Sequence, residues 1–201
     1  MNQDSALDEP VVQRRPGGRT ADVTRRINVA MIELLSEGGL EACTFQNVAA
    51  RAGVERSTLY RRNVDRWQTI VDAIIDMADQ MTATFDTGSL RGDLAKTLSN
   101  LVRVLNGPVG PSLMEIAGAL QTGVAPGQAE RFWQSRRQQL APMFEAAIER
   151  GELPADVDCD RLFAMAAGPI YFWKFVASRP LTDRWIRGVV DQVCNSYGVP
   201  K

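Results

Sequence analysis

The chain has 201 residues, 45% hydrophobic and 23% charged, with a formal net charge of −1. That length and balance suit a folded chain with a sizeable core and exclude wholesale disorder. It contains no histidine, which removes the commonest general base, the commonest metal ligand and every His-dependent triad.

Cys43, Cys159 and Cys194 are widely spaced, which fits reduced thiols and not a zinc site. No apolar run approaches the roughly 20 residues that span a bilayer, and residues 1–20 are polar, so no membrane partner and a cytoplasmic location are expected. The charge is segregated. Residues 10–66 carry ten arginines against six acids, whereas residues 67–201 carry thirteen basic and fifteen acidic groups. A basic N-terminal third is the footprint of a surface that meets phosphates.

In chain order, residues 1–19 lack periodicity and hold Pro10, Pro16, Gly17 and Gly18, predicting a flexible basic arm. From Ala21, the three- and four-residue spacing of Val23, Ile27, Ala30, Met31, Leu34 and Leu35 predicts a helix stopped by Gly38-Gly39. Thr44 is placed to cap a second helix with Phe45, Val48, Ala49 and Ala52 on one face. Gly53 breaks it, and a short third helix is expected from about Glu55 to Arg62. A fourth, over 65–85, has an inner stripe of Val71, Ile74, Ile75, Ala78, Met81 and Phe85. Five more follow: one on Leu94–Leu105, one to about Thr122, one to Arg150, and the last two over 159–178 and 182–197. The backbone break at Gly168-Pro169 is expected to kink or interrupt the eighth. The reading is all-α with nine helices: an arm over 1–19, a head over 20–66, and a larger unit over 67–201.

Segment 44–61, TFQNVAARAGVERSTLYR, has the makings of two short helices crossing steeply around a tight turn. Small Ala49 and Ala50 allow close approach, and Gly53 admits a left-handed turn. By itself such a pair is a helical corner or a DNA reader. A reader would present the N-terminal half of its second helix to base edges in the major groove.

Around this segment the chain resembles the TetR family of bacterial regulators. The family's T-x-x-x-I-A-x-x-A-G-V-S-x-x-T-[LIV]-Y pattern is met in register by Thr44, Ala49, Ala52, Gly53, Val54, Thr58, Leu59 and Tyr60, over a match that covers about residues 20–85. Glu55 stands where Ser usually caps the reading helix, Asn63-Val64 replaces an aromatic, Thr69 a Leu, and Arg66 a Lys. The resemblance implies phosphate contacts from Thr44, Tyr60 and Arg66, and base-facing roles for Arg56, Ser57, Thr58 and Arg61. Gln46 is within reach of a backbone or a base. Arg14, Arg15 and Arg19 are either an arm for the minor groove or backbone, or a solvated tail.

It further implies that the C-terminal two-thirds hold an effector pocket and a dimer interface. RGDLAKTLSNLVRVLNGP, RGELPADVD and GPIYFW look like one common type of TetR C-terminal domain. Bulky side chains at helical spacing, namely Met114, Leu120, Trp133, Phe144, Tyr171, Phe172 and Trp173, with Phe132 and Phe163 beside them, are pocket or plain core. For the dimer, candidate faces are Leu162, Met165, Ala166 and Ile170, then Trp185, Ile186, Val189, Val190 and Val193. The expected function is a homodimeric repressor, not an enzyme. A palindromic double-stranded operator and an apolar or aromatic small-molecule effector are its expected partners, with no metal and no cofactor. The alternatives are an activator or co-repressor-dependent regulator of the same fold, an all-α enzyme that retains the helix-turn-helix as scaffold, and a protein-interaction module.

Overall fold

The computed structural model describes residues 18–62, 65–81 and 85–199, without the side chains of Arg19 and Arg62. Among these residues there are nine α-helices, one π-helical turn and no strand. The helices are α1 (Gly18–Ala42), α2 (Phe45–Ala52), α3 (Arg56–Arg62), α4 (Arg66–Met81), α5 (Leu90–Asn106), α6 (Gly110–Gln121), α7 (Gln128–Glu149), α8 (Cys159–Tyr171) and α9 (Asp183–Ser196). The architecture is the all-α one expected from the apolar periodicity.

Two cores organise it. Met31, Leu35, Val48, Leu59 and Ile70 are buried at the centre of the first, which α1 to α4 build. Val109 and Ile116 join it from α6 and its approach, and the Ser112 hydroxyl donates to the Leu35 carbonyl at 2.8 Å. The second core gathers Leu94, Leu98, Phe144, Leu162, Ile170 and Val190 from α5, α7, α8 and α9. Gly110 marks a close approach inside this scaffold. A Cβ there would lie 2.2 Å from the Leu105 carbonyl oxygen, so no larger residue fits without backbone movement.

The chain departs from helical geometry at Gly38 (φ −142°, ψ 16°) and Gly39 (φ 64°, ψ −160°), where the stop was expected, then takes a last short turn to Ala42. Among the described residues α4 runs to Met81 and Phe85 is not helical, its ring 5.7 Å from the Lys96 ammonium. Ile70 and Ala73 are fully buried on α4 while Ile75 and Ala78 are only half-buried. The helix is clasped between the head and α7, so its buried surface is wider than one stripe.

The expected break at Gly168-Pro169 takes a different form. α8 runs through both residues to Tyr171 and then loosens into a π-helical turn over Phe172–Val176. Pro169 has no N–H to give the carbonyl four residues back. The ladder continues past this gap and then widens, with Ala177 donating to the Phe172 carbonyl five residues earlier at 2.9 Å. The RGDL and RGEL segments meet across the second core. The Leu90 N–H donates to Glu152 at 2.9 Å, and Arg150 donates to Glu152 at 2.7 Å beside buried Asp93 at 3.7 Å.

Candidate nucleic-acid interface

The head is held by contacts that leave one face of α3 free. Thr44 caps α2, its hydroxyl accepting from the Asn47 N–H at 3.2 Å. Gly53 sits in the left-handed region (φ 62°, ψ 42°). Its N–H and that of Val54 close on the carbonyls of Ala50 and Ala49 at 3.3 and 3.0 Å, the hydrogen-bonded turn that ends a helix and redirects the chain. Val48, Ala49, Ala52 and Leu59 are buried in the corner, so the crossing of α2 and α3 is set by packing.

Three arginines brace this corner, in ways that sequence spacing does not foretell. Arg26 on α1 donates to the Gly53 carbonyl at 2.8 Å. Arg51 makes a two-pronged pair with Glu37, at 2.9 and 2.7 Å, and reaches Glu33 at 3.2 Å. These bonds hold the Glu37 carboxyl below its ordinary range, the Arg51 hydrogen bond being the main cause. Arg66 turns inward. Its guanidinium donates to the Leu40 carbonyl and lies 5.8 Å from the Trp67 ring centre. A guanidinium used this way ties α4 to the end of α1, with Arg66 half-buried where a phosphate contact was expected. Beneath it, burial pushes the Cys43 thiol up to about 11, offset in part by Arg66.

The outer face of α3 carries Arg56, Ser57, Tyr60 and Arg61, all exposed, with Thr58 half-buried beside them. Tyr60 is 55% exposed and its ring meets Phe45 edge to face at 5.2 Å. Arg56 lies over the same ring, 5.5 Å from its centre, and donates to the Tyr60 hydroxyl at 3.1 Å. The tyrosine is therefore aimed by an aromatic neighbour below and a cation alongside. Phe45 enters the sequence pattern only as an apolar position of α2; its contact with Tyr60 is visible only once the two helices cross. Arg61 has no ion-pair partner among the described residues. Thr44 and Gln46 are exposed at the start of α2. Arg14, Arg15 and the side chain of Arg19 lie outside the described residues.

The residues expected to line a pocket fall in three places. Trp133 and Phe144 line a groove of about 220 Å³ between α7 and α8, together with Leu140 and Phe163. Leu120, with Phe132, packs against the head core instead, and Met114 is exposed on α6. Tyr171 and Phe172 are exposed, while half-buried Trp173 stacks on Trp185 at 5.5 Å beneath Arg179. Of the expected dimer residues, Leu162, Ala166, Ile170, Ile186, Val189, Val190 and Val193 are buried in the protomer's own core. A side chain covered within one chain has no surface left for another, so these residues serve the core where a dimer seam was expected. Met165 is exposed and Trp185 half-buried.

Among the described residues no helix is long and apolar enough to cross a membrane, and no group of three metal-binding side chains is present. Residues 27–62 match the family model described as "Bacterial regulatory proteins, tetR family", and residues 84–193 match "Tetracyclin repressor-like, C-terminal domain". The chain is 29% identical over 179 residues to the uncharacterized HTH-type transcriptional regulator YdeS of Bacillus subtilis, covering 88% of this chain and 90% of that protein. It is 27% identical over 174 residues to the DNA-binding transcriptional repressor TetR of Mycobacteroides abscessus, covering 81% and 86%. The crystal structure of the TetR family transcription regulator SCO0332 superposes with a TM-score of 0.74 at 28% identity, over 90% of this chain and all (100%) of that one.

Proposed function

The chain belongs to the TetR family of DNA-binding transcriptional regulators, and from that premise we propose that it is a homodimeric repressor released from a palindromic operator by a small-molecule effector. The observation that carries this reading is the face of α3. Four exposed polar side chains stand on a helix whose crossing angle, turn and tyrosine are all fixed by buried or paired neighbours. A reading helix needs that rigidity, because base-edge hydrogen bonds demand placement within a few tenths of an ångström.

Two reading heads about 34–36 Å apart, or a multiple of that spacing, are needed for successive major grooves. A second copy supplies the second head. The surface that best suits it is the outer stripe of α8 and the start of the π-helical turn, where exposed Ala164, Met165, Gly168 and Phe172 repeat at three- and four-residue spacing. Met165 and Phe172 are large apolar side chains at 41% and 56% exposure, and a contiguous exposed apolar patch favours a partner. The sign of regulation follows the Mycobacteroides abscessus relative, which is a repressor by name. α4 joins head to body: it packs on α1, and its Asp72 pairs with Arg131 of α7. An effector that prefers one setting of α4 shifts the population between head spacings.

The test is a fluorescent-duplex titration against genomic fragments from low to high salt, with light scattering to count chains. The expected result is a dimer whose log affinity falls linearly with log salt. A monomer, or no binding at low salt, would overturn the proposal.

A further inference from the structure

The α7–α8 groove has the composition of a small-molecule site: an apolar floor with a few polar groups at its mouth. Trp133, Leu140, Phe144 and Phe163 form the walls, and the Trp133 and Phe163 rings lie 6.2 Å apart at 36°. Its volume of about 220 Å³ exceeds the roughly 150 Å³ in which an apolar cavity holds a benzene ring. One substituted ring fits.

The mouth is acidic. Glu145, Asp160 and Arg137 stand there, but Arg137 is already engaged, donating to Asp160 at 3.0 Å and to Glu130 at 3.4 Å. Glu145 is exposed and has no ion-pair partner among the described residues. Cys159, which lines the groove, reports this field: burial first, then Asp160, Asp158 and Glu145, hold its thiol above the ordinary range. The Trp133 ring under an unpaired carboxylate favours a cation, because the ring face and the carboxylate attract the same charge.

The groove also connects to the head. The Arg136 guanidinium lies 5.7 Å from the centre of the Phe163 ring and donates to Gln139 at 2.9 Å. Gln139 in turn donates to Asp79 of α4. A ligand that moves Phe163 therefore moves the polar contacts that seat α4 against α7.

We propose that this groove is the effector site, that it takes a small aromatic cation, and that Arg136, Gln139 and Asp79 carry its occupancy to α4. This rests on the ligand-responsive reading above. The probe is phenyltrimethylammonium, compared with its neutral isostere tert-butylbenzene and with benzoate, on the full-length protein. Binding is read by calorimetry and by protection of Cys159 from iodoacetamide, followed by mass spectrometry. Saturable protection is expected, with the cation about fivefold tighter than the neutral isostere and benzoate weakest. Glu145→Gln weakens the cation about threefold and leaves the isostere unchanged. Gln139→Ala keeps the probe's affinity and abolishes its effect on DNA binding. No saturation, equal affinity for cation and isostere, or an unaffected Glu145→Gln variant overturns the site. A Gln139→Ala protein that still responds overturns the route to α4. DNA binding without probe is measured in parallel: its loss would fail the regulator reading, whereas intact DNA binding with unprotected Cys159 fails the groove alone.

Discussion

Removing one oxygen from Tyr60 isolates what its hydroxyl does. In Tyr60→Phe the ring keeps its edge-to-face contact with Phe45 at 5.2 Å and Arg56 keeps a ring to lie over. The variant therefore preserves the shape of the reading face. What is lost inside the protein is one exposed hydrogen bond, from Arg56 at 3.1 Å, so the melting temperature should stay within about 2 °C. What is lost on DNA is larger. A hydrogen bond to a charged oxygen contributes about 1.5–3 kcal/mol, and about 1.4 kcal/mol is a factor of ten in Kd. At an exposed site the lower figure applies, so Kd should rise about tenfold. Two signatures distinguish a phosphate contact from other causes. The loss should be equal on the tightest genomic fragment and on random duplex, because phosphates carry no sequence. The slope of log affinity against log salt should not change, because tyrosine displaces no counterion, whereas deleting a cation-phosphate contact flattens it by about 0.9. Anisotropy titrations over a range of salt measure both. An unchanged Kd, a loss confined to the specific fragment, or a flatter slope would refute the assignment.

Arg66→Ala should lower stability by about 1–3 kcal/mol, since the Leu40 carbonyl loses its donor, while leaving the salt slope intact; thermal melts and the same titrations check this, and a slope flattened by about one unit would restore Arg66 to the phosphates. Gly110→Ala forces a Cβ against the Leu105 carbonyl and should cost about 1–3 kcal/mol in a denaturant titration, an unmoved midpoint being the contrary result. Asp79→Asn tests charge at the α4–α7 seam. Burial first, then Asp76, raise the Asp79 carboxyl against the pull of Arg136. A raised carboxyl makes folding less favourable as pH climbs through the carboxylate range. The variant should therefore melt higher than the parent at neutral pH, and the gap should close as the pH falls through that range; a gap constant with pH would show that charge is not the cause.

Much of the fold was legible because helices announce themselves by period. Ile27, Ala30, Met31, Leu34 and Leu35 mark α1's inner face whatever covers it. The corner at Gly53 was legible for a similar reason: a left-handed residue between two short apolar patterns leaves few alternatives. The division of apolar residues between core and surface was not. Along α8 and into its π-helical turn both Leu162-Ala166-Ile170 and Ala164-Met165-Gly168-Phe172 repeat correctly, and only the position of α5 and α9 makes the first set interior. Arg66 carries the right charge at the right place for phosphate, but a backbone carbonyl 26 residues earlier claims it. Pro169 revealed a missing hydrogen bond; where the helix relaxed depended on the register of the residues after it.

The insertion of Val109 and Ile116 into the head core bears on modularity. Residues of the head cannot be cut away at the end of α4 without uncovering apolar side chains that α6 now shelters, so an isolated head should be soluble only if those positions are redesigned. A chimaera that grafts this head onto a relative's body must likewise import the matching turn of α6. The head and the body of the molecule have to evolve in step, because they share a wall.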